Sequence, residues 1–523
     1  MINIEKLKKV LESENFLEIE KEVKITYKSV FSQNDYLKLY NEIFVNIDFN
    51  TIKKSPILYM FYCKVLLNNN KILELKDIFL EKNNFIEQDK SINFESNLLF
   101  IEACLENYNS NLYLAIEKLE IALEKLSNKY DYNLMVEIYY ELAGIYLSSY
   151  KINNSIVSFK KAESYIIKDS VDSKKVLFRI KINLAKLQIR KNKLNEAFSE
   201  ISKLNKIIDF NLLSNAQIIF YYEVLASFYF YKNKKQELNE LFDKFMFIFE
   251  NSIDSPSFMP YMRIAKYLLA FNEIEKCKQT IDNIELKFNF SIPRINIRFF
   301  AYILNISFYK KTNDKELYIT WLNELGKEIK ENFSKNYGIT ILYADLLLEN
   351  DDIDKVELIF AEISPLIKKI DSELLNLRLN LLETALIYKK GYKNRAILDL
   401  KEILILCQKE WNVGIFLDSS DIIINMVNEI YKESLNKENL LNSNFLKEIV
   451  SYSNEKFNFD NYLTEKEIEV LKLVAQKKSN KEIANSLFLS VNTIKTHLKN
   501  ISKKLDVNNK NDAVLKAKEH FLI

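Results

Sequence analysis

Residues 139–162 read YYELAGIYLSSYKINNSIVSFKKA, and this stretch decides the fold class. Apolar and small residues recur at intervals of three and four on each side of a short polar turn, Ser149 to Asn154. Side chains at that interval share one face of an α-helix. Ala143 and Ala162 are small enough to let two helices approach closely. The stretch therefore predicts two amphipathic helices that pack as a hairpin.

The same pattern recurs along the chain at a spacing near 40 residues. Equivalent positions in successive copies are Cys63, Ala103, Ala143, Ala185, Ala226, Ala265, Leu304, Ala344 and Ile387. A repeat of this length is typical of units that bury their apolar faces only by stacking on neighbours. We expect about nine hairpins between roughly residues 50 and 410, stacked as an α-solenoid. Aromatic residues at the repeat positions are expected to be core rather than ligand contacts.

The composition also favours an all-α protein. Only 5 glycines and 5 prolines occur in 523 residues, so the chain has few residues that break helices. Cys63, Cys104, Cys277 and Cys407 are far apart and form no CxxC pair, which predicts reduced, buried thiols in a cytoplasmic protein. The N-terminus lacks the apolar segment of a signal peptide, and no run of about 18 uncharged apolar residues occurs. No contact with a membrane is expected.

The charges are distributed unevenly. The whole chain carries 74 Lys and Arg against 72 Asp and Glu, yet the segment from Asp460 to the end has 12 lysines and only 8 acidic residues. A basic end piece on a near-neutral body is the pattern expected of a nucleic-acid-binding module.

Four short helices are predicted in this end piece. Thr464 and Glu467 form a Thr-x-x-Glu capping box for the first, Asn480 can cap a second over 481–488, and Ser490 can cap a third over 491–505. A fourth is expected over 512–519, where Ala513, Val514 and Ala517 suit packing or a dimer contact. The expected core positions of the first three helices are Val470, Leu471, Val474, Ile483, Ala484, Leu487, Ile494, Leu498, Ile501 and Leu505.

The other face of the third helix carries a polar and cationic row. Its members are Asn492, Lys495, Thr496, Lys499 and Lys503, three or four residues apart. Such a helix fits the major groove of DNA, where a lysine can donate to guanine and a threonine methyl can touch thymine. Taken alone, the row fits an ordinary solvated helix face equally well.

Two family resemblances follow from these patterns. The hairpins resemble the tetratricopeptide repeat, best at Tyr139 to Ala162, although the period exceeds that family's usual 34 and the closing proline is missing. Residues 463–517, with the strings LTEKEIEVL, SNKEIANSLFLSVNTIKTHLKNISKKL and DAV, resemble the LuxR-type helix-turn-helix of bacterial transcription factors. This second resemblance is the more specific, because its positions match in one uninterrupted register.

The LuxR-type resemblance implies roles for individual residues. It implies base contacts from Lys495, Thr496 and Lys499, and dimerisation on DNA through the fourth helix. Phosphate contacts are implied for Lys481, Ser490, Asn492, Thr493 and Lys503. The sequence departs from the family at Lys477 and Asp506, where glycine is common. Lys477 can add a phosphate contact, whereas Asp506 is close to the expected phosphate path and can weaken affinity.

The motifs of several enzyme classes are missing from the sequence. It contains no GxxxxGK[ST] phosphate loop, and the two histidines, His497 and His520, both fall in the DNA-binding end, so no Ser/His/Asp or Cys/His arrangement is available. We read the protein as a non-enzyme that needs neither a cofactor nor a metal. His497 is expected to pack or to contact a phosphate, and His520 to be solvated.

Two functional hypotheses remain. In the first, the chain is a bacterial transcriptional regulator with a repeat domain over 1–433, a linker over 434–459 and a DNA-binding domain over 460–523. The repeats would bind a peptide, protein or small-molecule effector, the protein would dimerise on duplex DNA, and RNA polymerase is a further candidate partner. In the second, the repeats form a protein-interaction scaffold or dimerisation arm, and DNA binding is weak or vestigial.

Overall fold

Helices account for nearly all the regular structure of the described residues, which contain no strand. The computed structural model describes 4–12, 15–29, 33–53, 55–86, 89, 91–126, 131–166, 171–251, 258–288, 295–330, 336–434, 440–460, 465–476, 478–487, 489–504, 507, 509–510 and 512–514. The first helices are α1 (Ile4–Glu12), α2 (Phe16–Ser29), α3 (Gln33–Glu42), α4 (Phe49–Ile52), α5 (Pro56–Asn68), α6 (Ile72–Phe79) and α7 (Lys82–Ile86). The all-α prediction is confirmed.

Longer helices follow in consecutive pairs. They are α8 (Ile92–Tyr108), α9 (Leu112–Leu126), α10 (Tyr132–Ser148), α11 (Ile152–Ser164), α12 (Val171–Arg190), α13 (Leu194–Ile207), α14 (Asn215–Tyr231), α15 (Lys235–Asn251), α16 (Phe258–Ala270), α17 (Ile274–Phe288), α18 (Ile295–Lys311), α19 (Lys315–Lys330), α20 (Tyr337–Glu349), α21 (Ile353–Ile367), α22 (Glu373–Lys389) and α23 (Lys393–Lys409). Together with α5 and α6, these helices form nine hairpins in the described part of the chain. Neighbouring hairpins stack through their first helices, as α16, α18, α20 and α22 do.

The final helices are shorter. They are α24 (Gly414–Leu417), α25 (Asp421–Ser434), α26 (Ser443–Asp460), α27 (Glu465–Ala475), α28 (Asn480–Leu487) and α29 (Val491–Lys504). Two single 3₁₀ turns lie at Phe44–Asn46 and Phe210–Leu212.

A left-handed residue closes the first helix of every hairpin. These residues, with φ between 54° and 93°, are Asn70, Ser110, Tyr150, Asn192, Asn233, Asn272, Asn313, Asp351 and Gly391. In most copies the next amide donates to a carbonyl five residues earlier, as Lys151 N does to Tyr146 O at 2.8 Å. This is the hydrogen bond of a Schellman motif, which is usually built on glycine and sometimes on asparagine. Asparagine therefore replaces glycine at several of these turns, consistent with the low glycine content of the chain.

The quoted hairpin folds as its pattern predicts. Ala143, Ile152, Phe159 and Ala162 are all buried in one cluster between α10 and α11. The turn is shorter than expected, because α10 continues to Ser148 and α11 already begins at Ile152. The hydroxyl of the buried Ser155 donates to Ala143 O at 2.8 Å and so links the two helices.

The chain divides into two compact units. The first comprises Met1–Lys191, Glu196–Ile218 and Ile370–Ser372, and the second comprises Asn192–Asn195, Ile219–Lys369 and Glu373–Ile523. The first has a continuous core that runs from Leu7 to Ile145. The second has a core from Phe299 to Val450 and, apart from it, the small core of α27 to α29.

Helix α26 lies inside the segment predicted to be a linker. It begins at Ser443 and packs on α25. Phe445, Leu446 and Ile449 are fully buried in the core of the second unit, which explains why this Asn-rich stretch is helical. The domain boundaries at 433 and 460 stay predictions.

All four cysteines are buried and free of disulfide bonds. Burial raises the pKa of Cys63, Cys277 and Cys407 to about 12, so these thiols stay protonated and unreactive at neutral pH. None of the described helices has the length and hydropathy needed to cross a lipid bilayer.

Candidate nucleic-acid interface

Helices α27, α28 and α29 enclose a small core of their own. Val470, Leu471 and Val474 enter it from α27, Ile483 and Ala484 from α28, and Ile494 and Ile501 from α29. The predicted core positions Leu487 and Leu498 are partly buried against this cluster. Leu505 lies outside the described residues. The apolar period of the sequence thus located the packed faces of all three helices.

The second helix begins with a cap that the sequence analysis missed. Ser479 Oγ accepts a hydrogen bond from Glu482 N at 3.3 Å, and Glu482 Oε2 accepts one from Ser479 N at 2.7 Å. This reciprocal pair is a capping box, and its Ser-x-x-Glu signature is visible in the sequence. The prediction that Asn480 caps α28 is wrong, because Asn480 is already the first helical residue. The capping box predicted at Thr464 and Glu467 involves Thr464, which lies outside the described residues.

The capping box at Ser479 makes a testable contribution to stability. Ser479→Ala should destabilise the first turn of α28 by about 1 kcal/mol, the usual effect of losing an N-cap. Hydrogen–deuterium exchange of peptides from 480–487 should accelerate about fivefold, since local opening follows that free energy. Ser486→Ala, at an exposed position of the same helix, is the matched control. Equal exchange in the two variants would contradict the assignment.

Helix α29 begins at a serine cap, as predicted. Ser490 Oγ accepts a hydrogen bond from Thr493 N at 3.1 Å and lies 2.8 Å from Thr493 Oγ1. Leu489 N donates to Ala484 O at 2.9 Å and closes the end of α28. The end of α28 and the start of α29 are therefore both held by hydrogen bonds at the turn that joins them.

The outward face of α29 carries four of the five members of the predicted polar and cationic row. Lys495, Thr496, Lys499 and Asn492 are exposed, whereas Ile494 and Ile501 on the opposite face are buried. The hydroxyl of Thr496 donates to Asn492 O at 3.1 Å, so its proton is already used in a hydrogen bond to the backbone of α29. The methyl group of Thr496 remains available for an apolar contact.

The charges of Lys495 and Lys499 are uncompensated within the described residues. Neither Lys495 nor Lys499 forms an ion pair there, although Lys466 on α27 pairs with Glu469 at 2.8 Å. An exposed, unpaired lysine is free to exchange its counterions for a phosphate or a base edge. We name the exposed face formed by Asn492, Lys495, Thr496 and Lys499 the recognition face.

The other predicted contact residues lie near the recognition face in sequence but differ in exposure. Lys481 is exposed in the first turn of α28, Ser490 is exposed at the cap of α29, and Thr493 is half-buried beside it. Lys503 belongs to the last turn of α29, and its side chain lies outside the described residues. Lys477 and Asp506 also lie outside them.

His497 is half-buried on α29, and His520 lies outside the described residues. No cluster of three metal-ligating side chains occurs in the part of the chain that the structure describes.

Of the predicted fourth helix, residues 512–514 are helical and Ala513 is buried in the core of α27 to α29. Asp512 N donates to Asn509 Oδ1 at 2.8 Å, so Asn509 caps this segment. Its remainder lies outside the described residues.

Helices α27, α28 and α29 pack around a core of their own, and a capped turn precedes the exposed cationic helix α29. This arrangement defines a helix-turn-helix domain. Residues 461–517 match the sequence model of the GerE family, described as bacterial regulatory proteins of the luxR family. The C-terminal segment is therefore a LuxR-family helix-turn-helix domain. The match covers this segment alone.

Relatives found by sequence share this segment. The response regulator protein VraR of Staphylococcus saprophyticus is 34% identical over 95 residues, which are 18% of this chain and 46% of that protein. The transcriptional regulatory protein LiaR of Bacillus subtilis is 44% identical over 61 residues, which are 12% of this chain and 29% of that protein. The chain thus spans less than half the length of these relatives.

Two solved structures resemble larger parts of the chain. The APC/C hetero-tetramer Cut9-Hcn1 has a TM-score of 0.42 and 11% identity, covering 98% of this chain and 96% of the other. A Rap protein complexed with competence and sporulation factor has a TM-score of 0.40 and 12% identity, covering 74% and 97%. Both TM-scores lie below 0.5, so nothing about this chain follows from either likeness.

Proposed function

We propose that this protein is a bacterial transcriptional regulator that binds duplex DNA in the major groove through the recognition face. One observation carries the proposal: Lys495 and Lys499 are exposed on a helix whose opposite side is buried, and neither pairs with a described carboxylate. Lys495, Thr496 and Lys499 would contact bases. Lys481, Ser490, Asn492, Thr493 and Lys503 would contact phosphates and fix the helix in the groove.

The proposal extends to the rest of the chain. The repeats before residue 433 would bind an effector or a protein partner and control how the C-terminal domain at 460–523 reaches DNA. Stacked repeats support this role because they offer extended surfaces for a ligand. The protein would act in the cytoplasm, on the nucleoid when bound to DNA, as a homodimer that contacts RNA polymerase. It would perform no catalysis.

Selection of genomic DNA fragments by the full-length protein tests the proposal. We expect recovery of a small set of fragments that share one motif, with dissociation constants of about 10⁻⁸ to 10⁻¹¹ M at physiological salt. Uniform binding of all fragments at about 10⁻⁴ to 10⁻⁶ M would instead be the non-specific range. That outcome would favour the repeat scaffold and reject the regulator.

Phosphate and base contacts are expected to respond differently to mutation. Lys481→Ala should weaken binding evenly across DNA sequences and reduce the slope of log affinity against log salt by about 1, the effect of losing one phosphate contact. Lys503→Ala should behave in the same way. Lys466→Ala, which removes an exposed lysine paired with Glu469, is the control and should leave the slope unchanged. Loss of sequence preference in Lys481→Ala would contradict its assignment to a phosphate.

A further inference from the structure

The second helices of two consecutive hairpins expose leucines at positions where the two preceding hairpins carry polar residues. Counted from the left-handed residue of the hairpin, Asp351 or Gly391, each helix has a leucine at positions seven and fifteen. The leucines and their exposed fractions are Leu358 (73%) and Leu366 (39%) on α21, and Leu398 (64%) and Leu406 (50%) on α23. The equivalent residues of α17 and α19 are Gln279, Lys287, Thr320 and Glu328.

An exposed glutamate lies between the two leucines of each helix. It is Glu362 on α21 and Glu402 on α23, four residues after the first leucine and four before the second. Side chains at that interval share one face of an α-helix. We name the two faces together the twin stripe, formed by Leu358, Glu362, Leu366, Leu398, Glu402 and Leu406.

The two halves of the twin stripe lie on neighbouring second helices. Helix α22 contacts both α21 and α23, and Glu357 on α21 pairs with Lys390, shortly before the start of α23. Positions five and twelve of both helices are buried in one core: Val356, Ile363, Ala396 and Ile403. Because the same positions of the two helices are buried in that core, the leucines and glutamates of both face away from it.

Glu362 and Glu402 carry uncompensated charges among the described residues. Neither forms an ion pair or a hydrogen bond there. Nearby cations on the same helices are already paired: Lys355 with Asp352, Arg395 with Asp399, and Lys401 with Glu433. Lys369 and Lys409 are exposed seven residues further on, about 10 Å along the helix axis and too far for an ion pair. The twin stripe is thus apolar with a negative centre.

A second copy of this chain complements the twin stripe poorly. Homodimers usually pair through a two-fold axis, so each surface meets its own copy. A register that sets both leucines of each helix on leucines of the other copy also sets Glu362 and Glu402 on glutamates, because each glutamate lies midway between its leucines. Such like charges disfavour the contact. A register that pairs the glutamates with Lys369 and Lys409 instead leaves Leu358 without an opposing leucine.

We propose that the twin stripe binds an amphipathic helix of a protein partner, in which two apolar residues at i and i+8 enclose a lysine or arginine at i+4. The inference rests on the partner-binding role proposed above for the repeats. The apolar residues of the partner cover the exposed leucines, and its basic residue meets the carboxylates of Glu362 and Glu402. Exposed apolar patches with polar surroundings typically mark protein interaction sites, and docked helices use anchors at such intervals.

Fluorescence anisotropy with labelled peptides and the full-length protein tests this inference. The first probe is an alanine-based helix of about 18 residues, long enough to be helical in isolation, with leucine, lysine and leucine at i, i+4 and i+8. A second probe has glutamate in place of the lysine, and a third has the composition of the first in scrambled order. We expect the first probe alone to bind, with an affinity that decreases as salt screens its charge.

The double variant Glu362→Lys, Glu402→Lys should exchange the preference between the two charged probes. The lysine probe should bind about tenfold more weakly, because attractions become repulsions, and the glutamate probe should bind in its place. Both positions are exposed, so circular dichroism should report an unchanged helix content. Glu117→Lys, at an exposed position of α9, is the matched control and should leave the preference unchanged.

The double variant Leu358→Ser, Leu398→Ser tests the apolar part of the twin stripe. It should weaken the lysine probe about tenfold or more, because the area of these two side chains is no longer available for burial. Leu73→Ser changes a leucine of similar exposure, 76%, in the first unit and should bind the probe normally. Sedimentation velocity should give the same oligomeric state for the double variant and the wild type.

Three results would overturn the inference: a lysine probe that binds no better than the scrambled one, an unchanged preference in Glu362→Lys, Glu402→Lys, or a dimer that Leu358→Ser, Leu398→Ser dissociates. The last result would assign the twin stripe to contacts between copies. The same titration on a Lys495→Ala, Lys499→Ala protein separates this inference from the proposed DNA binding, since the peptide should still bind there. Selective DNA binding without any peptide binding would reject the twin stripe alone.

Discussion

The double variant Lys495→Ala, Lys499→Ala should lose its preferred DNA fragments. Both lysines are exposed on the recognition face and unpaired with any described carboxylate, so nothing within the domain compensates for their charge. Contacts between a side chain and a base edge contribute about 1–3 kcal/mol of discrimination each. We therefore expect specific affinity to fall by about two orders of magnitude or more, towards the value for random DNA.

Fluorescence anisotropy with one selected fragment and one scrambled fragment measures this loss. The difference in affinity between the two fragments should shrink, which distinguishes base contacts from phosphate contacts. Exposed substitutions usually change folding stability by less than about 0.5 kcal/mol, so circular dichroism should report an unchanged helix content. Lys466→Ala is again the matched control. Full, sequence-selective binding by the double variant would show that α29 does not read the bases.

Asp418→Ala should be among the most destabilising single substitutions in the repeats. Asp418 is nearly completely buried and accepts from both Lys266 and Arg378. Arg378 also donates to Tyr231 Oη at 3.2 Å, so the carboxylate links residues from α14, α16 and α22. Removing one partner of a buried ion pair typically lowers the free energy of unfolding by about 3–5 kcal/mol, because the remaining charges stay buried.

The contribution of Asp418 to the free energy of unfolding should decrease as the pH falls. Burial alone would raise the pKa of Asp418, but Arg378 and Lys266 together hold it below its ordinary value. A carboxylate with a lowered pKa in the folded state stabilises the protein above the unfolded pKa of about 3.9 and loses that contribution as the pH falls below it. The difference in unfolding free energy between wild type and variant should therefore be full at pH 7 and smaller near pH 3.

Urea unfolding of both proteins at the two pH values provides the measurement. Asp399→Ala is the matched control, because Asp399 forms an exposed i,i+4 pair with Arg395 at 3.8 Å. Exposed pairs of this kind contribute about 0.3–0.5 kcal/mol. If Asp418→Ala and Asp399→Ala were equally stable, the cluster around Asp418 would have no structural importance.

The helical hairpins and the recognition face could be predicted from the sequence, because both depend on local spacing. A helix places every third or fourth side chain on one face, so the repeated small residues and the buried stripe of α29 are visible without coordinates. The Ser-x-x-Glu signature at Ser479 is an equally local signal, whereas Asn480 lies one residue too far along the chain to cap α28. The cap at Ser490 is predictable for the same reason.

The tertiary structure decided the features that join residues far apart in the sequence. Gly414 is one example: a Cβ there would lie 2.5 Å from Phe230 O and 2.8 Å from Tyr231 Cα, so only glycine permits this approach to α14. The burial of α26 against α25 is another, because its Asn-rich surroundings resemble a linker. The partners of Asp418, Lys266 and Arg378, come from helices far apart in the sequence, and the sequence alone does not say that they meet.

The sequence by itself determined the class of fold, the period of the repeats and the residues of α29 that face outward. Only the tertiary structure decided which buried charges meet, as Asp418 meets Lys266 and Arg378. The physical reason is that helix formation follows from neighbours three and four residues apart. Charge pairing, by contrast, depends on how the stacked hairpins bring distant helices together, and small changes in each turn accumulate over several repeats.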